Sequence, residues 1–121
     1  MDYRSFVSVE SRQYAGVVYT IRRMSFERRV ELTRKIREIA HKAEYLEAGQ
    51  DAREKIESAL LVTEVDRAYL AWGLAKVEGL EIDGEPATPE LLTASGPEEA
   101  CREALEAIKA ECGLSEAERK N

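Results

Sequence analysis

Sulfur and imidazole are scarce in this chain: its 121 residues include two cysteines and one histidine. Cys101 and Cys112 stand eleven residues apart in a strongly helical stretch. Such a span of helix rises roughly 16 Å, well past the ~7 Å over which two alpha carbons can be bridged. An internal disulfide and a zinc site are therefore not expected, and both thiols read as small buried apolar groups. His41 lies between Ala40 and Ala43 near a charged flank and reads as a surface or boundary residue. Nothing in the sequence forces a serine or cysteine beside it, as a nucleophile–base pair requires. HExxH, paired CxxC and EF-hand spacing are all missing. The seven glycines are scattered and form neither GxxxxGK nor GxGxxG. The expectation is a non-enzyme with no catalytic residue, metal or cofactor. No apolar run approaches the ~18–20 residues of a membrane span. Met1-Asp2-Tyr3-Arg4 lacks the basic-then-apolar opening of a signal peptide, so the cytoplasm is the default compartment and a membrane is not an expected partner.

What is present suits a globular chain. Hydrophobic residues at 44% are too many for a disordered polypeptide, and charged residues at 35% provide a heavily solvated surface. The net charge of −6 is unevenly spread. Eight basic residues face three acidic ones from Arg22 to Lys42, an excess of five positive. Twelve acidic residues face two basic ones from Glu78 to Glu118, an excess of ten negative. The basic stretch is interleaved with Glu27, Glu31 and Glu38, which argues against nucleic acid and for a protein partner or self-association. Glu98, Glu99, Glu103, Glu106 and Glu111 mostly fall off the apolar stripe of their helix and read as a solvated face. Glu64 and Asp66 read as ion-pair partners of Arg67 or of an arginine on the first helix.

The periodicity predicts an α+β fold, mostly α. Phe6-Val7-Ser8-Val9 and Val17-Val18-Tyr19-Thr20-Ile21 are β-prone runs around a polar connection with Gly16, the pattern of a hairpin, with Val17, Tyr19 and Ile21 on one face. Ser25 is a candidate N-cap for a long helix to about Ala48, carrying Leu32, Ile36, Ile39, Ala43 and Leu46 as one stripe and stopped by Gly49. A second helix, from about Asp51 to Val77, shows one stripe of Leu61, Val65, Ala68, Trp72 and Ala75 and another of Leu70, Leu74 and Val77. It is expected to pack antiparallel to the first across Gly49-Gln50. Leu80-Glu81-Ile82 reads as a short third strand available to the hairpin, followed by a tight turn at Asp83-Gly84. Thr88 and Pro89 open one short helix. Ser95-Gly96-Pro97-Glu98 has capping-box spacing for another, in which Cys101, Leu105, Ile108 and Cys112 form a stripe ended by Gly113. Ser115 to Glu118 repeats that spacing. One domain is expected over 1–121: a hairpin at 1–24, a helical hairpin at 25–78, and a strand, turn and C-terminal helices at 79–121.

Tyr19, Tyr45, Tyr69, Trp72 and Phe26 read mainly as core material. Aromatics and arginine also dominate binding hot spots, and Arg22, Arg23, Phe26 and Arg29 sit together at the hairpin–helix junction as the candidate protein-interaction patch. Gly16-Val17-Val18-Tyr19-Thr20-Ile21-Arg22-Arg23-Met24-Ser25 resembles the strand-to-helix opening of small tail assembly chaperones encoded in phage and prophage tail-gene clusters. Gly79-Leu80-Glu81-Ile82-Asp83-Gly84-Glu85-Pro86-Ala87-Thr88-Pro89-Glu90-Leu91-Leu92 is similar to their strand, DG turn and TPE helix. Gly113-Leu114-Ser115-Glu116-Ala117-Glu118-Arg119-Lys120-Asn121 resembles the close of such proteins. The resemblance implies a host-cytoplasmic protein without cofactor or active site. It implies binding to the tape-measure protein or other tail components, which are kept soluble, and departure before the tail is complete. A structural tail or head accessory protein of the virion, and a regulatory adaptor that binds a host protein, remain as alternatives.

Overall fold

The computed structural model describes residues 1–47 and 52–113 of the chain. In order the elements are β1 (Phe6–Glu10), β2 (Val18–Arg22), α1 (Phe26–Glu47), α2 (Ala52–Gly73), β3 (Leu74–Glu78), β4 (Glu81–Ile82), β5 (Glu85–Pro86), α3 (Pro89–Ser95) and α4 (Glu98–Glu111). The fold is mixed, with an N-terminal antiparallel hairpin extended to three strands and accompanied by helices. The chain gathers into two compact units. One holds Met1–Met24 with Tyr69–Asn121, the other Ser25–Ala68.

In the first unit the hairpin forms as its alternation predicts. β1 and β2 are antiparallel, with Val7 opposite Ile21 and Val9 opposite Tyr19. Val17, Tyr19 and Ile21 share the inward face and are all buried. Strand order is β1-β2-β3, so β2 is central and, among the described residues, β1 pairs on one side only. Helix α4 packs on β2 and buries Ala100, Ala104, Ile108 and Cys112. The expected stripe holds at Ile108 and Cys112, but its first half is set one residue back, at Ala100 and Ala104: Cys101 and Leu105 are only half-buried.

The third strand is not Leu80–Ile82. The second helix stops at Gly73, and Leu74–Glu78 turns straight into β3, antiparallel to β2. The pairing slips between Thr20 and Ile21. This irregularity leaves Leu74 and Val77, three apart, both buried. A spacing of three is also what a helix face shows, and it makes a strand look helical. A β-carbon on Gly73 would lie 2.6 Å from Ile108 Cγ2, so the helix end needs glycine to pack on α4. Leu80-Glu81-Ile82 instead contributes β4, which pairs with β5 around Asp83 and Gly84, both at positive φ.

Caps follow the expected chemistry at two helices of three. Ser25 Oγ accepts from Arg28 N at 3.2 Å ahead of α1, and Thr88 Oγ1 accepts from Leu91 N at 3.1 Å, with Pro89 in the first turn of α3. The capping box at Ser95 does not form: Pro97 occupies the cap of α4 without a side-chain bond, while Gly96 N donates to Leu92 O and closes α3. One short segment therefore serves as the end of one helix and the start of the next.

In the second unit, Leu32 is buried while Ile36 and Ile39 are half-buried, as their stripe requires. Glu64 pairs with Arg67 at 3.1 Å. The stop at Gly49, the antiparallel link at Gly49-Gln50 and the extra turn at Ser115–Glu118 lie outside the described residues. No described helix is long and apolar enough to cross a membrane.

Candidate functional site

The most constrained polar feature of the first unit centres on Glu103, midway along α4. Its Oε1 accepts from Ser11 Oγ at 2.5 Å and from Tyr19 OH at 2.9 Å. Its Oε2 accepts from the backbone N–H groups of Arg12 at 2.9 Å and Gln13 at 3.3 Å. Ser11 Oγ in turn accepts from Tyr14 N at 2.9 Å. One carboxylate therefore ties the β1–β2 connection to the helix and terminates the buried Tyr19 side chain. Burial raises the Glu103 pKa, but hydrogen bonds from Ser11, Arg12, Tyr19 and Gln13 favour the anion more, and the net shift is downward. Tyr19 moves the other way, pushed up to about 12 by burial, partly offset through its Ser11 contact and reinforced by the Glu103 carboxylate. Both groups are locked in their neutral-pH forms, the carboxylate charged and the phenol protonated, which is what a structural clamp needs.

The expectation that Glu103 and Glu111 belong to a solvated face is overturned. Glu103 is the acceptor of the clamp, and Glu111 Oε1 lies 3.3 Å from Arg23 Nε in an ion pair. Glu98 does lie on the exposed side, bonded to Arg102 one turn on at 2.9 Å. No local sequence signal marks Glu103, because its partners are 84 to 92 residues away.

Beside the clamp runs an open groove of about 560 Å³ between β1 and α4. Val7, Val9, Ala107 and Ala110 supply its apolar lining, and Glu10, Glu106 and Glu111 its acidic rim, with Arg12 the one cation in the lining among the described residues. The groove exists because α4 lies over β2, leaving β1 to overhang.

The four residues of the expected interaction patch are placed as follows. Arg22 lies over the Phe6 ring at 5.5 Å. Arg23 is engaged by Glu111, lies 5.9 Å from the Tyr3 ring centroid and donates to Arg4 O at 3.5 Å. Both belong to the first unit, whereas Phe26 and Arg29 open α1 in the second. Phe26 is 88% exposed, which removes it from the core set. Tyr19 is buried, and Tyr69 and Trp72 are half-buried; the Tyr45 side chain lies outside the described residues. His41 is exposed on α1, and neither Cys101 nor Cys112 is in a disulfide. Burial, then Glu98, raises the Cys101 pKa, leaving its thiol less reactive than an ordinary one. Among the described residues no three His, Cys, Asp or Glu side chains gather as a metal site. Phe26, already in the expected patch, pairs on α1 with exposed Val30; sequence reading missed Val30 and the exposed pair Ile56 and Leu60 on α2. Both pairs have i, i+4 spacing, and that spacing off the assigned stripes was the available signal.

No protein-family model, curated protein or solved structure matches the chain.

Proposed function

We propose that the chain is a protein-binding assembly factor of the tail assembly chaperone kind, acting in the host cytoplasm on newly made tail proteins. The observation that carries this reading is the exposure of large apolar side chains in the second unit: Phe26 at 88%, Val30 at 45%, Ile56 at 64% and Leu60 at 61%. Scattered exposed apolar residues are ordinary. Here they come as an i, i+4 pair on each of two long helices, so each helix presents a short apolar strip one turn long. An amphipathic helix of a partner covers such strips by laying its own apolar side chains against them. A tape-measure protein, long and helical, is the occupant that the resemblance of Gly16–Ser25 and Gly79–Leu92 implies. No step of this work calls for a catalytic group or cofactor.

Co-expression with the products of the neighbouring genes, a tape-measure protein among them on this reading, tests the proposal. The expected result is a soluble complex that is lost in the Phe26→Asp, Leu60→Asp double variant, whose substitutions sit on exposed positions and leave the fold intact. Unchanged solubility of the tail protein and no complex refute it. The uneven charge favours a second reading, a structural virion subunit that self-assembles head to tail. Mass spectrometry of purified particles separates the two, since a subunit is present in many copies and a chaperone is absent.

A further inference from the structure

We infer that the open edge of β1, with the groove beside it, is a docking site for an extended, basic segment of another protein, which adds as a fourth strand to the sheet. This site lies wholly in the first unit, apart from the helical strips of the second, so either reading can fail without the other.

The backbone supplies the first argument. Arg23 N donates to Ser5 O at 2.8 Å, and Ser11 N donates to Val17 O at 2.8 Å. With the register Phe6–Arg22 to Glu10–Val18, hydrogen-bonded pairs fall on Val7 and Val9 of β1 and on the flanking Ser5 and Ser11, because antiparallel ladders alternate. The N–H and C=O groups of Phe6, Ser8 and Glu10 therefore point to the outer edge, where β1 has no strand partner among the described residues. An edge of this length without proline is a template for another strand. A strand added there places alternate side chains over the groove, the arrangement by which edge-binding peptides gain affinity from the backbone and selectivity from pockets.

Charge supplies the second. Glu103 and Glu111 are already committed to the clamp and to Arg23. Glu10 and Glu106 line the groove with no hydrogen bond or ion pair among the described residues, and both are exposed. Arg12 offsets only part of this negative rim. Between the carboxylates, Val7, Val9, Ala107 and Ala110 offer apolar contact for a medium-sized side chain. The fitting segment thus carries both aliphatic and basic residues at the alternate positions that face the groove. An acidic segment is repelled.

The test uses the full chain and two capped hexapeptides, Lys-Thr-Val-Thr-Lys-Thr and Glu-Thr-Val-Thr-Glu-Thr, whose alternate positions put the charges and the valine on one face, followed by amide NMR and hydrogen exchange. The lysine peptide is expected to protect the amides of Phe6, Ser8 and Glu10, and the glutamate peptide to leave them unchanged. Glu106→Lys, on the exposed side of α4, is expected to weaken the lysine peptide roughly fivefold at low salt. Ser8→Pro removes the central outward donor but none of the β1–β2 bonds, and is expected to abolish binding. Three results overturn the inference: no protection at millimolar lysine peptide, equal binding of both peptides, or protection of the three amides that grows with protein concentration alone. The last assigns the edge to a second copy of the chain.

Discussion

Replacing Glu103 by alanine removes four accepted hydrogen bonds at once, and their unequal burial sets the expected loss. Arg12 and Gln13 are exposed and Ser11 is half-buried, so water takes over these three donors at a combined loss of about 1 kcal/mol. Tyr19 is only 1% exposed, and leaving its hydroxyl without an acceptor costs about 1–3 kcal/mol. Glu103→Ala is thus expected to destabilise the first unit by roughly 2–4 kcal/mol. Glu103→Gln is expected to cost less, about 1 kcal/mol. Its carbonyl can face the two backbone donors while its amide donates to the hydroxyls of Ser11 and Tyr19, which can turn to accept. Tyr19→Phe in the alanine background removes the stranded hydroxyl, so the double variant should be more stable than the sum of the two single losses, with a coupling of about 1–2 kcal/mol. Urea unfolding followed by the fluorescence of Trp72, the only tryptophan and a residue of the first unit, measures all four corners of the cycle. A loss below about 0.5 kcal/mol for Glu103→Ala, or strict additivity with Tyr19→Phe, refutes the clamp.

The same pair gives a pH signature at both extremes. The Glu103 pKa is lowered in the folded state, so its stabilisation is complete above the ordinary carboxylate pKa near 4.5 and is lost as pH falls through the depressed value; acid unfolding should be blunted in Glu103→Gln. The Tyr19 pKa is raised from 10.0 to about 12, so its contribution is intact below pH 10 and is lost between 10 and 12, which ultraviolet titration of tyrosinate against Tyr19→Phe will register. Gly79→Ala combines φ +81 with a β-carbon 2.0 Å from Gly16 O, and should cost more than about 2 kcal/mol by thermal or urea melts, whereas Gly84→Ala, also at positive φ but in open space, should cost about 1 kcal/mol. Both cysteines should react slowly with a thiol reagent in the native protein and rapidly after unfolding, without any disulfide-dependent shift in mobility on a non-reducing gel.

The hairpin was legible because its chemistry is local. Alternation at Val17, Tyr19 and Ile21 places three side chains on one face whatever lies against them, and Ser25 and Thr88 cap with their own hydroxyls. The α2–β3 junction was not legible because two periods coincide there. Leu70, Leu74 and Val77 satisfy helical spacing, yet Leu74 and Val77 are buried from a strand whose pairing slips opposite Thr20 and Ile21. The contrary signal was Gly73, a residue that weakens a helix interior by about 1 kcal/mol relative to alanine. Its place is explained only by Ile108, thirty-five positions on. The Ser95 capping box failed for a related reason: Gly96 N is spent closing α3, so the motif is shared between two helices rather than owned by the second.

Long-range pairing also explains why carboxylates with the same look in the sequence do different work. Glu98, Glu103, Glu106 and Glu111 all lie on α4, and composition treats them alike. The helix rotates them past different neighbours. Glu98 meets Arg102 of its own turn; Glu103 meets the β1–β2 connection; Glu111 meets Arg23. Glu106 meets the open groove. A carboxylate that anchors a loop cannot also recruit a ligand without releasing that loop, so recognition on this face falls to Glu106 and Glu10. The clamp and the groove are therefore coupled. Glu103 holds the β1–β2 connection against α4, and β1 enters that connection at Glu10, so loosening the clamp should blur the edge that a partner strand reads. Glu103→Ala should consequently weaken the lysine peptide and speed exchange at Phe6, Ser8 and Glu10, even at temperatures where the first unit remains folded. If exchange at those three amides is unaltered in that variant, the edge is held by β2 alone and the carboxylate serves stability without shaping recognition.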